Sequence, residues 1–235
     1  MKKIAVIFSA ILLSGCAELQ QVASQYPQIG AMGNADIAAG LKEALNNGIT
    51  KEVSKLTLTD GFFKNEAVKI LLPAELQKVD KTLRGLGMSS LADEGLKVLN
   101  RAAENAVKEA TPIFVDAVTK MTFNDAKNIL MGSDNSATVY LQNSTSSALY
   151  GKFSPVVQSS LGKVGADKVW SNIITKYNSI PMVSKVNPDL KDYVTQEAMK
   201  GVFKMVAVEE KDIRNNLVAR TSDLLRRVFS LQDSK

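Results

Sequence analysis

The chain has 235 residues, of which 45% are hydrophobic, 23% charged and 6% aromatic, a composition typical of a globular protein. This length is sufficient for one domain with a full hydrophobic core, so no disulfide or metal is needed to hold the fold together. Histidine is absent and cysteine occurs once. Ser-His-Asp and Cys-His catalysis, His/Cys zinc sites, haem bound by histidine and internal disulfides are therefore excluded.

The N-terminus predicts a lipoprotein signal peptide over residues 1–15. Lys2 and Lys3 precede an almost entirely apolar segment, Ile4–Leu13, and small residues then lead to Cys16. Ten helical residues rise about 15 Å, which is half the thickness of a bilayer core, so this segment is too short to span a membrane.

The run Leu13-Ser14-Gly15-Cys16 resembles the bacterial lipobox. The resemblance implies that the signal is cleaved before Cys16, that diacylglycerol is attached to its sulfur, and that the new amino group is acylated. Several acyl chains on one residue anchor a protein stably, whereas a single chain binds only marginally. The alternative is a plain secretory signal followed by an unrelated cysteine.

The residue after the lipidated cysteine helps to decide between the two membranes. In lipoproteins an aspartate there commonly favours retention in the inner membrane, but this chain has Ala17. We therefore expect anchoring in the outer membrane, and its periplasmic face because no acidic run follows Cys16. Removal of Lys2 and Lys3 with the signal lowers the formal charge from +5 to +3. We expect contact with the membrane and with an envelope protein, and none with nucleic acid.

A short tether precedes the folded domain. Residues 16–34 are mostly small and polar, and an all-helical domain is predicted over residues 35–235. Apolar residues at helical spacing from Ile37 to Leu56 predict the first helix, with a loose turn at Gly48. The next segment, from Lys55 to Pro73, has the weakest helical pattern.

Capping residues and prolines mark the helix boundaries that follow. Pro73 suits the first turn of a helix ending near Gly85, and a long helix is expected from about Ser90 to Ala110. Thr122, with Asp125 three residues later, predicts a capping box for a helix that stops at Gly132.

A capping residue followed by proline predicts three more helix starts, at Thr111-Pro112, Ser154-Pro155 and Asn187-Pro188. The helix that begins near Thr138 is accordingly expected to end at Gly151. Two more helices are predicted over Val169–Tyr177 and Leu217–Phe229. Short connections and the lack of a fixed repeat predict an all-α fold, a single-domain bundle of about eight to ten helices.

Several separate strings are distributed over nearly the whole mature chain: Gly40–Leu45, Val68–Pro73, Leu99–Glu104, Pro112–Phe114, Asp125-Ala126, Glu209–Arg214 and Ala219–Thr221. In sequence and in order they resemble a family of bacterial lipoproteins known only as a domain of unknown function (DUF4197), although Leu217 stands where the resemblance leads us to expect proline. The resemblance implies an exported, mostly helical domain and assigns no reaction, ligand or site residue.

One predicted helix carries charged residues within its apolar stripe. The stripe runs from Val194 to Ile213, with Glu209 near its centre and Glu210 toward its edge. A lone carboxylate in that position is expensive to desolvate, so it needs a cation or hydrogen bonds. We expect an arginine to pair with Glu209. The candidate polar network is Asn100, Arg101, Glu104, Glu209, Glu210, Arg214 and Arg220.

Three interpretations of this network stay open. It can be a set of structural ion pairs that sets the register of the helices. It can be a small polar pocket that holds an anion on the arginines or a metal on oxygen ligands. It can, thirdly, contain a hydrolytic pair of carboxylates.

The sequence predicts a non-enzymatic lipoprotein that acts by interaction in the envelope, with no cofactor or metal beyond the acyl chains on Cys16. The alternative is a binding module for a small or lipidic ligand inside the bundle. A closed cavity larger than about 300 Å³ with convergent polar groups would favour the ligand. A packed interior with an exposed apolar patch would favour a partner.

Overall fold

A computed structural model describes residues 33–72, 77, 84, 85, 87, 89–168, 171, 175, 178, 179, 181, 182, 185 and 189–233. The predicted signal peptide, Cys16 and nearly all of the tether lie outside these residues. So do most of the helices predicted after Pro73 and over Val169–Tyr177, and the Asn187-Pro188 pair. The described residues form helices and turns with no strand, which confirms the all-α fold class.

Seven α-helices and one 3-10 turn have both ends within the described residues. They are α1 (Asn34–Leu56), α2 (Ser89–Val107), α3 (Ala110–Lys120), α4 (Phe123–Leu130), α5 (Ser136–Gly162), α6 (Leu190–Asn215), the 3-10 turn (Leu217–Ala219) and α7 (Asp223–Asp233).

Helix α1 continues through Gly48, so the turn predicted there is wrong. The apolar stripe keeps one register on both sides of the glycine, where Leu45 and Ile49 are buried. A Cβ atom at Gly48 would lie 2.9 Å from Cγ of Glu209. Glycine is used here for a close approach between α1 and α6, not for a bend.

The residues that follow α1 form turns, in agreement with the weak helical pattern of this segment. Asp60 has a φ of 68°, in the left-handed region, and Phe62 and Ile70 turn inward and are buried. Residues 57–72 therefore contribute to the core without regular structure, and their backbone groups need partners from elsewhere.

The boundaries around α3 and α4 agree partly with the prediction. The long helix ends at Val107, and α3 begins at Ala110, so the predicted start at Thr111-Pro112 lies within its first turn. The capping box of α4 is confirmed. The Thr122 hydroxyl accepts a hydrogen bond from the Asp125 amide at 3.2 Å, and the Asp125 carboxylate accepts one from the Thr122 amide at 2.9 Å.

Helix α5 contradicts the prediction of an end at Gly151 and a new start at Ser154-Pro155. It runs unbroken for 27 residues with Pro155 inside it. Proline removes one bond to the carbonyl four residues earlier, but Gly151 is exposed, so water can bind that carbonyl. The buried residues repeat every four positions across the proline: Leu141, Thr145, Leu149, Phe153, Val157 and Leu161.

The core forms one contiguous cluster around α5 and α6. Helix α5 packs on α6, α2 and α3, and α1 packs on α6, α3, α4 and α7. Phe114 and Phe203 meet edge to face, with their ring centroids 5.8 Å apart. Among the described helices, none is both long and apolar enough to cross a bilayer.

Candidate functional site

Glu210 caps the N-terminus of α5 from another helix. Its buried carboxylate accepts hydrogen bonds at 2.8 Å from the amides of Ala137 and Thr138 and from the Thr138 hydroxyl. These amides belong to the first turn of α5, whose donors have no partner within the helix. The negative charge also complements the positive end of the helix dipole.

Arg214 forms an ion pair with the same carboxylate. Its Nη2 and Nε atoms lie 2.8 and 3.1 Å from Oε1 of Glu210. The guanidinium also donates to the carbonyls of Ile129 and Leu130, at 2.8 and 3.2 Å. These carbonyls end α4, where a cation is favoured. Glu210 and Arg214, one turn apart on α6, therefore join the end of α4 to the beginning of α5.

Arg220 closes the end of α6. It is buried, and its Nε and Nη2 donate to the carbonyls of Ile213 and Arg214 at 3.0 and 2.7 Å. A second Nη2 bond, 2.8 Å long, reaches Asp233 at the end of α7. The hydrogen bonds from Arg220 hold the pKa of Asp233 below its ordinary value. The guanidinium also faces the ring of Phe229, at 5.4 Å from its centroid.

Asn100 satisfies the backbone of the segment between α1 and α2. Its carbonyl oxygen accepts from the Ile70 amide at 2.8 Å, and its amide nitrogen donates to the Ile70 carbonyl at 2.9 Å. A further bond of 2.7 Å goes to the carbonyl of Leu96 on the same helix. This buried side chain supplies the partner that a strand would otherwise provide for Ile70.

Glu104 does the same for the turn at Phe62. One carboxylate oxygen accepts from the amides of Phe62 and Phe63 at 3.1 and 3.3 Å, and the other pairs with Arg101 at 2.5 Å. Arg101 also contacts Asp60 at 2.5 Å. The bond to Glu104 raises the pKa of Arg101. Hydrogen bonds from Lys64 and from Arg101 lower the pKa of Asp60.

Glu209 is buried, as its position in the stripe predicts, but its partner is a lysine on α1. Nζ of Lys51 lies 2.8 and 2.6 Å from the two carboxylate oxygens, and this bond raises the pKa of Lys51. The expected arginine partner is wrong. Arg214 is engaged with Glu210 on another side of α6, whereas Gly48 on α1 leaves room for Glu209 to reach Lys51.

A second ion pair follows on α1. Glu52 is buried, and one of its oxygens accepts from Nζ of Lys55 at 2.6 Å, while the other has no hydrogen-bond partner. In both pairs the carboxylate is recessed and the ammonium is exposed. The exposed fractions of the side chains are 11% for Glu209 against 48% for Lys51, and 3% for Glu52 against 54% for Lys55.

The seven candidate residues therefore do not form one site. Asn100, Arg101 and Glu104 serve the segment after α1, Glu210 and Arg214 serve the α4–α5 junction, and Arg220 serves the end of α6. Glu209 stands apart with Lys51. Sequence reasoning missed Lys51 and Asp233, since nothing in the pattern of their own helices indicates a partner on another element. It also missed Glu52, although its partner Lys55 lies three residues later on the same helix.

The interior leaves little space near these groups. The pocket bounded by Gly48, Glu209, Glu210 and Arg214 has a volume of about 20 Å³, enough for a single water. Among the other depressions in the described surface, three are open, with volumes of about 300, 430 and 530 Å³. A fourth, of about 360 Å³ beside Lys51 and Glu209, is partly enclosed. Within the described part of the chain, no three acidic side chains lie close enough together to hold a metal ion.

A family model described as a protein of unknown function (DUF4197) matches residues 31–230. The chain belongs to this family. The match covers the first six helices in full and α7 except for its last three residues, so the resemblance carried by the short strings is confirmed. None of the curated proteins and none of the solved structures gives a significant match.

Proposed function

We propose that this member of the DUF4197 family is a lipoprotein anchored in the outer membrane, facing the periplasm, that acts through contacts made by its surface and catalyses no reaction. The address rests on the N-terminal pattern of two lysines, an apolar segment and the lipobox-like residues before Cys16. Acyl chains on Cys16 would keep the domain at the membrane.

The proposal that the protein acts through its surface is supported by the hydrogen bonds of its buried polar groups. Glu210, Arg214, Glu104, Asn100 and Arg220 all bond to backbone groups of neighbouring segments. Their hydrogen-bonding capacity is spent on joining helices and turns, which supports a structural role for them. We therefore propose that the protein binds its partners through its exposed surface.

A binding module with a ligand inside the bundle is the competing function. The pocket beside Glu209 and Arg214, at about 20 Å³, is far below the several hundred cubic ångströms that a small-molecule site usually offers.

The address is tested by changing Cys16 to Ser and labelling cells with palmitate. The wild-type chain is expected to take up label and to fractionate with the outer membrane. The variant is expected to take up none and to keep its signal peptide. Equal labelling of both proteins, or a wild-type chain that is free in the periplasm, would overturn the proposal.

The choice between partner and ligand is tested on the natively acylated protein. After cross-linking in cells and purification, mass spectrometry of proteins and small molecules identifies what accompanies it, with an unrelated lipoprotein of the same membrane as the control. A specific cross-linked protein supports surface interaction. A stoichiometric small molecule without a protein partner would support the binding module instead.

A further inference from the structure

One surface of the domain combines exposed apolar side chains with outward lysines. Val208 lies on α6, and Leu217 and Val218 form the 3-10 turn after it, with exposed fractions of 54%, 67% and 86%. Other large exposed apolar residues are single side chains on different elements, which is normal for a soluble surface. We call the surface formed by Val208, Leu217, Val218, Lys51, Lys55 and Lys211 the lysine–valine face.

The members of this face are neighbours in space. Val208, Lys51, Lys55 and Lys211 line one open depression of about 530 Å³. Val218 lines a second depression, of about 360 Å³, that shares Lys51 with the first. The larger depression is open to solvent and the smaller one is partly enclosed, and together they form one broad surface around Lys51.

The charges on this face are arranged by depth. The ammonium groups of Lys51 and Lys55 point outward, while the carboxylates of Glu209 and Glu52 lie beneath them, 11% and 3% exposed. Lys211 is exposed beside them. Asp212, which is half-buried, also lines both depressions. The three lysines are thus balanced by three carboxylates, but the lysines are the more exposed groups, so an approaching surface meets their charge first, together with the apolar turn. Lysines around an apolar tip are the combination that binds the interface of an anionic membrane.

The length of chain between Cys16 and the domain allows this face to contact the membrane. Sixteen residues separate Cys16 from Gly33, and whatever their conformation they span at most about 60 Å. Helix α1 has 23 residues and is about 35 Å long. Lys51 and Lys55 can thus reach the bilayer that holds the acyl chains. The tether also makes this contact intramolecular, so a weak attraction is sufficient to orient the domain.

We propose that the lysine–valine face rests on the anionic surface of the membrane that anchors the chain, with Leu217 and Val218 entering the headgroup region. The inference rests on the proposed acylation of Cys16 and adds an orientation to it. The opposite parts of the domain, including the end of α5, then face the periplasm and its proteins.

The test uses the full acylated chain in vesicles of phosphatidylcholine and phosphatidylglycerol at a ratio of three to one. Because the single natural cysteine would carry lipid, a cysteine introduced by Val218→Cys is the only free thiol and can take an environment-sensitive fluorophore. Val164→Cys is the matched control, since Val164 is 61% exposed and follows the far end of α5. Leu217→Cys gives a second probe of the same turn.

We expect the emission of the fluorophore at positions 217 and 218 to shift to shorter wavelength and its quenching by iodide to fall. The label at position 164 should show neither change. The shift should be lost in vesicles of phosphatidylcholine alone and reduced in 1 M salt, where charges are screened within about 3 Å. The charge-reversing change Lys211→Glu should reduce it without touching either ion pair.

Several outcomes would overturn the inference. No shift at 217 and 218, in a sample shown by intact mass to be acylated and by flotation to be bound, refutes the orientation and leaves the anchor intact. Equal shifts at 164, or no dependence on anionic lipid, refute the chosen face. A shift that requires added envelope proteins assigns the face to a protein partner. An unacylated chain refutes the proposed function, and the orientation with it.

Discussion

Glu209 and Glu210 are consecutive residues of one helix, and both are buried, yet their surroundings differ in kind. Glu210 accepts from two backbone amides, a hydroxyl and a buried guanidinium. Glu209 has one partner, the ammonium of Lys51, which is half exposed. Burial alone therefore does not determine how much a charged residue contributes to the free energy of unfolding. That contribution depends on whether the partners of the residue can be hydrated once it is removed.

The largest effect is expected for Glu210→Ala. The change leaves the guanidinium of Arg214 buried without its carboxylate and removes the cap from the first turn of α5, so the free energy of unfolding should fall by about 3–5 kcal/mol. Denaturant unfolding measures this. Glu210→Gln preserves the shape and part of the hydrogen bonding, and should lie between the wild type and the alanine variant.

A loss below about 1 kcal/mol for Glu210→Ala would place the residue among ordinary sites. The proposed difference between Glu210 and Glu209 would then be refuted, because the junction of α4 and α5 would not depend on the carboxylate of Glu210. A double-mutant cycle with Arg214→Ala sharpens the result, since it isolates the coupling within the pair.

A smaller effect is expected for Glu209→Ala. Lys51 is 48% exposed, so its ammonium can be hydrated when the glutamate is absent, and pairs of this kind contribute about 0.2–1 kcal/mol. The same denaturant unfolding should therefore show a loss of about 1 kcal/mol or less. Lys51→Ala is the harsher control, because it leaves the recessed carboxylate without a cation. A loss for Glu209→Ala equal to that of Glu210→Ala would refute the distinction.

The smallest effect concerns Asp233, which pairs with the buried Arg220 but is itself partly exposed. The bonds from Arg220 lower the folded pKa of Asp233 below its ordinary value of 3.8. A lowered carboxyl pKa stabilises the fold above the unfolded value, and this contribution is lost as pH falls through the folded pKa. In this pair the arginine is buried and the carboxylate is exposed. A side-chain amide at position 233 can still accept from the guanidinium, so the expected effect is the smallest of the three.

Asp233→Asn keeps the shape of the side chain and removes its titration. The difference in unfolding free energy between wild type and variant should be about 1 kcal/mol or less at neutral pH, because the carboxylate is exposed to solvent screening. It should shrink as pH is lowered from about 5 to about 2. Unfolding curves at several pH values check this, and a difference that stays constant over that range would contradict it.

Local sequence signals determined the fold class and several boundaries. The capping box of Thr122 and Asp125 involves residues three positions apart, so its geometry depends on one helical turn and on nothing distant. The burial of Glu209 follows from the period of α6 in the same way. The family strings likewise identified the chain's membership, which the match over residues 31–230 confirms.

Tertiary structure determined the features that depend on contacts between helices. Pro155 is a helix start by local rules, but continuous packing of the stripe from Leu141 to Leu161 keeps α5 unbroken. Gly48 reads as a turn until Glu209 is seen lying against it. Lys51, which pairs with Glu209, lies 158 residues away along the chain, and the Ala137 amide that binds Glu210 lies 73 residues away. No helical period encodes such separations, because the contacts exist only once the helices have packed.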